Sequence, residues 1–83
     1  MKIYLSSKAD KQLRHLPRQM YKFIMTKIEK LGKDQFPVGS KKLESRLGWR
    51  IRIGDYRILY TVNQKKKELT ILSVSHRNDA YRN

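Results

Sequence analysis

The sequence predicts an α+β fold, an N-terminal helical hairpin packed on one face of a small three- to four-stranded antiparallel sheet. Three observations point to it. Apolar residues recur at helical spacing between Lys8 and Leu31. From Trp49 to Val62 they alternate with polar ones at a spacing of two. The helical patterns precede the main run of strands instead of interleaving with it, which favours segregated layers over a parallel sheet. The 83 residues allow one small domain, expected to span 1–83.

Ile3 to Leu5 is a short apolar run and is expected to be a first strand. Ser7 with Asp10 three residues later resembles a capping box, so a helix should begin near Lys8 with Ala9, Leu13 and Leu16 on its inner face. Pro17 either ends this helix or starts the next. In Arg18 to Leu31 the stripe Met20, Ile24, Ile28, Leu31 predicts a second helix, with Phe23 beside the stripe and Lys22, Lys27 and Lys30 on the other face. Gly32 is expected at C′ of that helix, and the tight connection makes the two helices an antiparallel pair. Residues 32–41 are a loop, punctuated by Gly32, Pro37 and Gly39. Lys41 to Glu44 is a short strand or turn.

Two strands follow, Trp49–Ile53 and Tyr56–Val62, around the two-residue loop Gly54-Asp55. That loop sets Ile53 opposite Tyr56, and therefore Arg52 opposite Arg57. Like charges directly across a strand pair weaken a sheet. Folding gives no reason to place them there; an anion held between them would. Asn63 to Lys67 is a polar turn, and Leu69 to His76 is the last strand. Leu72 and Val74 are expected in the core, with Thr70 and His76 in the same phase, which turns Ser73, Ser75 and Arg77 outward. The face under the helices should carry Trp49, Ile51, Ile53, Tyr56, Ile58, Tyr60 and Val62.

The opposite face then gathers Arg50, Arg52, Arg57 and Arg77 around small serines, and Tyr81 is near enough in the chain to fold over them. Such a face can bind phosphate and stack bases. Lys41, Lys42, Arg46 and Arg82 extend the basic surface expected to contact RNA. Lys and Arg number 20 against 7 acidic residues, a net charge of +13. This excess repels itself in a compact chain and calls for a polyanionic partner, nucleic acid first. The absence of cysteine excludes a disulfide framework and Cys-ligated zinc. With two distant histidines and scattered carboxylates, no metal or other cofactor is expected. Gly-rich phosphate loops and paired catalytic carboxylates are absent. No long apolar run or signal segment is present, so a soluble cytoplasmic protein without membrane contact is expected.

The run WRIRIGDYRILYTV, followed by ILSVSHRNDAYR and preceded by a helical hairpin with Leu16-Pro17 between its arms, resembles the RelE branch of the RelE/ParE toxin superfamily. The resemblance covers about residues 2 to 82 and implies the same fold. It implies a ribosome-dependent endoribonuclease that cleaves mRNA in the A site without metal, the ribose 2′-hydroxyl attacking the adjacent phosphate. Arg50 and Arg52 match two basic strand positions, often lysine, that activate the nucleophile and hold the backbone. Arg57 matches the arginine that stabilises charge on the phosphate, and Arg77 the one assisting the leaving oxygen. Tyr81 matches the tyrosine that stacks on or orients the base. Here the family pattern is broken in one respect. An arginine stays protonated, so Arg50 and Arg52 are poor bases and would act by electrostatics and positioning. Imidazole is the side chain type suited to that role, but His76 is turned toward the helices, which leaves the base unassigned. The resemblance also implies a RelB-like antitoxin, its acidic segment covering the arginine face or displacing a terminal element. Two alternatives are a ParE-like inhibitor of DNA gyrase and a non-catalytic RNA- or ribosome-binding module.

Overall fold

In the computed structural model, which describes residues 1–44 and 46–76, the elements run β1 (Lys2–Leu5), α1 (Ser7–Arg14), α2 (Arg18–Leu31), β2 (Lys41–Lys42), β3 (Trp49–Ile53), β4 (Tyr56–Asn63) and β5 (Glu68–His76). They form two helices on a five-stranded sheet of order β1-β5-β4-β3-β2. The expected α+β architecture is present, but the sheet is larger than three to four strands and is mixed rather than antiparallel. β1 pairs in parallel with the start of β5, from Lys2 opposite Glu68 to Leu5 opposite Ile71. The remaining pairings are antiparallel. A four-residue strand and a two-residue strand carry too little pattern to announce a partner, and so the sequence undercounts them.

β1 covers only the first half of the outer edge of β5, because the chain leaves the sheet at Leu5 to enter α1. The helix completes that edge with side chains. Ser6 N–H donates to the Ile71 carbonyl at 2.9 Å. Ser6 Oγ donates to the Leu72 carbonyl at 2.8 Å, and Val74 N–H donates to Gln12 Oε1 at 2.6 Å. The same Ser6 hydroxyl accepts from Ala9 N–H at 3.0 Å and is the N-cap of α1. The cap is thus Ser6, one residue before the serine the spacing suggested. Asp10 instead forms an exposed i,i+4 ion pair with Arg14 at 3.1 Å, an interaction of little energetic weight. Pro17 is the N-cap residue of α2.

The bulge opposite Leu59 and Tyr60 changes the phase of β5. Leu59 pairs with Ser73, but Tyr60 pairs with Ile71, leaving Leu72 as the extra residue. One inserted residue exchanges the faces of everything before it. Leu69 and Ile71 are therefore buried under the helices together with Val74. Leu72 and Thr70 are not in that set, contrary to the expectation from simple alternation; Thr70 lies opposite Thr61. Beyond the bulge the expected phase holds, with Ser73 and Ser75 opposite Leu59 and Arg57.

The core joins Ala9 and Leu13 of α1 and Ile24, Ile28 and Leu31 of α2 to Ile53, Ile58 and Tyr60 of the hairpin and to β5. Leu16, Met20, Trp49, Ile51, Tyr56 and Val62 pack against it. Phe23, expected beside the stripe, is 46% exposed, with Lys27 Nζ 5.6 Å from its ring centre. Gly32 departs too. It closes α2 with ordinary helical angles (φ −65°), so no left-handed C′ conformation demands glycine. The requirement is space, since a Cβ there would stand 3.1 Å from Ile3 Cδ1 and 3.2 Å from the Met1 carbonyl. The loop after α2 is fixed to the core by Tyr60, whose hydroxyl donates to the Gln35 carbonyl at 2.7 Å. Among the described residues no helix is long and apolar enough to cross a membrane.

Candidate functional site

The β3–β4 hairpin has the register that the two-residue loop requires. Ile53 faces Tyr56 and Arg52 faces Arg57 across the strands. Gly54 takes φ +60° at the first loop position, where a side chain would be strained. A second like-charged pair sits beside the first, because β2 places Lys41 opposite Arg50. Two such pairs in one short stretch of sheet work against its stability.

These groups look onto the face away from the helices. Arg50 and Arg57 line an open cleft of about 780 Å³, together with Ser73 and Ser75 from β5. Lys41, Lys42 and Arg46, expected as RNA contacts, line the same cleft. Arg50 and Arg57 are half-buried, so their charges are less screened than those of free surface arginines. Arg52 is more exposed and bends back along the hairpin, its Nε donating to the Gly54 carbonyl at 3.3 Å. It lines a smaller adjoining cleft of about 270 Å³ that also contains Lys41, Arg50 and Arg57. Arg77, Tyr81 and Arg82 fall outside the described residues.

Two lining residues escape the sequence argument. Lys8 reaches the cleft from the first turn of α1, and Glu44 is its carboxylate among the described residues. Nothing in the local pattern of either marks a site. Lys8 is placed by the packing of α1 along the outer edge of β5, and Glu44 by the turn between β2 and β3. Serine hydroxyls and cationic side chains around a concavity can hold a phosphate by charge-assisted hydrogen bonds. A carboxylate beside them can accept a proton, which the arginines cannot.

His76 lies on the other face, as its phase predicts. It is opposite Tyr56, with the two rings edge to face and their centres 5.2 Å apart. It lines a separate small cleft with His15 and Lys11. Among the described residues no three His, Cys, Asp or Glu side chains converge as metal ligands would.

Comparison with known proteins gives a consistent result. The family described as ParE toxin of type II toxin–antitoxin systems matches residues 3–81. Among solved structures, the RelBE2 toxin–antitoxin complex from Mycobacterium tuberculosis is similar at 24% identity, with a TM-score of 0.81 over 92% of this chain and 96% of that one. The RelB–RelE antitoxin–toxin complex from Methanococcus jannaschii is 26% identical, with a TM-score of 0.75 over 95% of each chain. The archaeal RelE–RelB complex from Pyrococcus horikoshii OT3 is 27% identical, with a TM-score of 0.71 over 92% of this chain and 93% of that one. No curated protein matches the chain.

Proposed function

The chain belongs to the ParE toxin family of type II toxin–antitoxin systems, within the RelE/ParE superfamily, and from that premise we propose that it is a ribosome-dependent endoribonuclease that cleaves mRNA in the A site. The observation that carries this reading is the paired register of Arg52 with Arg57 and Lys41 with Arg50, with Arg50 and Arg57 both lining one cleft. Cations are concentrated there, and an RNA phosphate is a ligand that such a cluster binds by charge-assisted hydrogen bonds.

In this reading the scissile phosphate sits between Arg50 and Arg57, whose guanidinium groups neutralise its oxygens and gain strength as negative charge builds in the transition state. The ribose 2′-oxygen forms a bond to phosphorus while the bond to the 5′-oxygen breaks. The products are a 2′,3′-cyclic phosphate and a 5′-hydroxyl. Two protons must move. Glu44 is assigned as acceptor of the 2′-hydroxyl proton, because the arginines of the cleft cannot take it. Arg77 is assigned to hold the leaving 5′-oxygen, which takes its proton from solvent water, and Tyr81 to stack on the nucleobase, both by family resemblance alone. Lys41, Lys42, Arg46 and Arg82 hold the RNA backbone, and Arg52 steadies it at the rim. The chemistry as written requires no metal ion. Ribosome and mRNA place the protein in the cytoplasm, and a RelB-like antitoxin with an acidic segment is its partner.

Addition of the protein to a translating extract, with mapping of mRNA ends, tests the proposal. Cuts confined to ribosome-engaged mRNA, and lost in Arg57→Ala and Arg77→Ala variants, are expected. Intact mRNA refutes it. The ParE description of the matching family favours one second reading, inhibition of DNA gyrase. Intact mRNA with stalled replication is its signature.

A further inference from the structure

Gln12 stands beside the core residue Leu13 on α1 and turns its carboxamide toward the open edge of β5. The two ends of that group make different contacts. Oε1 accepts from the Val74 N–H at 2.6 Å, and Nε2 donates to Ser75 Oγ at 3.4 Å, both at part-buried positions. The first contact fixes the second. A backbone N–H only donates, so the atom facing Val74 is the oxygen and the atom facing Ser75 is the NH₂ group. A carboxylate in this place would offer acceptors only, and an amine donors only. Holding β5 requires the acceptor alone; the donor end serves Ser75.

That donor sets the polarity of the Ser75 hydroxyl. With an oxygen lone pair committed to Gln12, the hydroxyl proton points elsewhere. Ser75 lies directly opposite Arg57 and lines the large cleft with Arg57 and Lys8. Guanidinium and ammonium groups have no acceptor to offer it. His76 is turned to the opposite face, where it meets the ring of Tyr56. Glu44 follows β2, at the far edge of the sheet. A phosphate oxygen drawn to Arg57 supplies the acceptor that these neighbours do not.

We propose that Ser75 donates a hydrogen bond to a non-bridging oxygen of the scissile phosphate, and that Gln12 is the positioning residue that holds Ser75 in the donor state. The proposal rests on the cleft being the site of mRNA cleavage. The Ser75 proton is shared with the phosphate oxygen and is not transferred, so the bonds made and broken are those given above. As the 2′-oxygen closes on phosphorus, negative charge grows on the non-bridging oxygens. A donor already aimed at one of them gains strength there without reorganising. Arg57 and Ser75 then hold the phosphate from neighbouring strands, one by charge and the other by direction. Helix α1 orients a catalytic group through the same carboxamide that closes the edge of β5.

Single-turnover cleavage of mRNA on purified ribosomes separates the rate at saturation from the half-saturating protein concentration. Ser75→Ala should lower the saturated rate by about 10- to 100-fold and leave the half-saturating concentration within about threefold. Gln12→Glu keeps an acceptor for Val74, so its thermal midpoint should stay near that of the wild type. Its carboxylate takes the Ser75 proton, however, and the saturated rate should fall about as far as in Ser75→Ala. The Gln12→Glu/Ser75→Ala double variant should be no slower than Ser75→Ala, since both changes remove one interaction. Ser75→Ala at the wild-type rate overturns the proposal, as does a folded Gln12→Glu variant at that rate. Losses that multiply in the double variant overturn it too, because a carboxylate that only repels RNA acts whether or not the hydroxyl is present. A wild-type protein that leaves ribosome-bound mRNA intact refutes the cleavage reading itself. A wild type that cuts, with variants that cut equally well, refutes only the roles given to Ser75 and Gln12.

Discussion

At Arg57 the contributions to fold and to function can be measured separately. Arg57 faces Arg52 across the hairpin and lines the cleft with Arg50. A cooperative thermal transition in Arg57→Ala is the control that the fold survives the replacement. If the guanidinium stabilises the phosphate in the transition state, cleavage should fall by about 10²–10³-fold. A loss of both would mark a structural residue instead. Glu44→Gln makes the complementary test. The amide is of similar size but accepts no proton, so cleavage should drop by about 10²-fold or more while RNA affinity holds or tightens. Undiminished cleavage removes Glu44 as the base. The facing arginines were legible in the sequence because a two-residue loop fixes register. Lys8 and Glu44 were not, because their position in the cleft depends on how α1 and the β2–β3 turn pack, which no local pattern encodes. Tyr60 adds a pH dependence. Burial, the main cause, raises its hydroxyl pKa above the ordinary 10.0; Asp34 adds to the rise and a hydrogen bond with Ser40 opposes it. A raised tyrosine pKa favours the folded state fully below pH 10 and loses that contribution as pH climbs from there through the raised value. The alkaline stability limb should therefore flatten in Tyr60→Phe, at the expense of the bond to the Gln35 carbonyl.

At the scale of elements, β5 shows where alternation stops being a guide. Its sequence fits an unbroken strand with Leu72 inward, yet the chain inserts Leu72 as a bulge and turns Leu69 and Ile71 inward instead. The stretch Ile71-Leu72-Ser73-Val74 does not distinguish the two phases, because both place aliphatic side chains under the helices. The bulged form is matched by its neighbour on the open edge. Ser6 and Gln12 meet the Leu72 carbonyl and the Val74 amide, and Gln12 Nε2 donates to Ser75 Oγ at 3.4 Å. The helices, by contrast, were legible nearly residue by residue, since a stripe at spacing four carries its own phase. Gln12→Ala should leave the Val74 N–H unpartnered at a part-buried position and cost about 1–3 kcal/mol. Gln12→Glu keeps an acceptor for that N–H and should recover most of the loss. Urea denaturation of the two variants decides it: equal destabilisation would mean that the side-chain amide of Gln12 does not hold the strand.

Across the whole molecule the dominant fact is the net charge of +13, of which the Asp10–Arg14 pair offsets little. Self-repulsion of this size should make the fold more stable as salt is added, because the Debye length shrinks from about 10 Å at 0.1 M to about 3 Å at 1 M. RNA binding should respond in the opposite sense. Each phosphate neutralised on a single strand releases counterions, and log K falls with log salt by about 0.7 per contact. Fold stability and RNA affinity therefore diverge on the same salt titration, and a shared unfolding artefact cannot produce that pattern. The residues responsible can be separated in turn. Lys8→Gln, in the cleft, should reduce the salt slope by about 0.7, whereas Lys65→Gln, in the distant turn between β4 and β5, should leave it unchanged. The same field makes RNA a stabilising ligand. At 100 times its dissociation constant, a ligand that binds only the folded chain adds about 2.7 kcal/mol, which in a domain of this size raises the melting temperature by roughly 10 °C or more. A short single-stranded RNA that leaves the melting temperature unmoved at low salt would show that the charge serves some partner other than nucleic acid. In that case the paired cations of the hairpin would have to be explained by the acidic antitoxin alone.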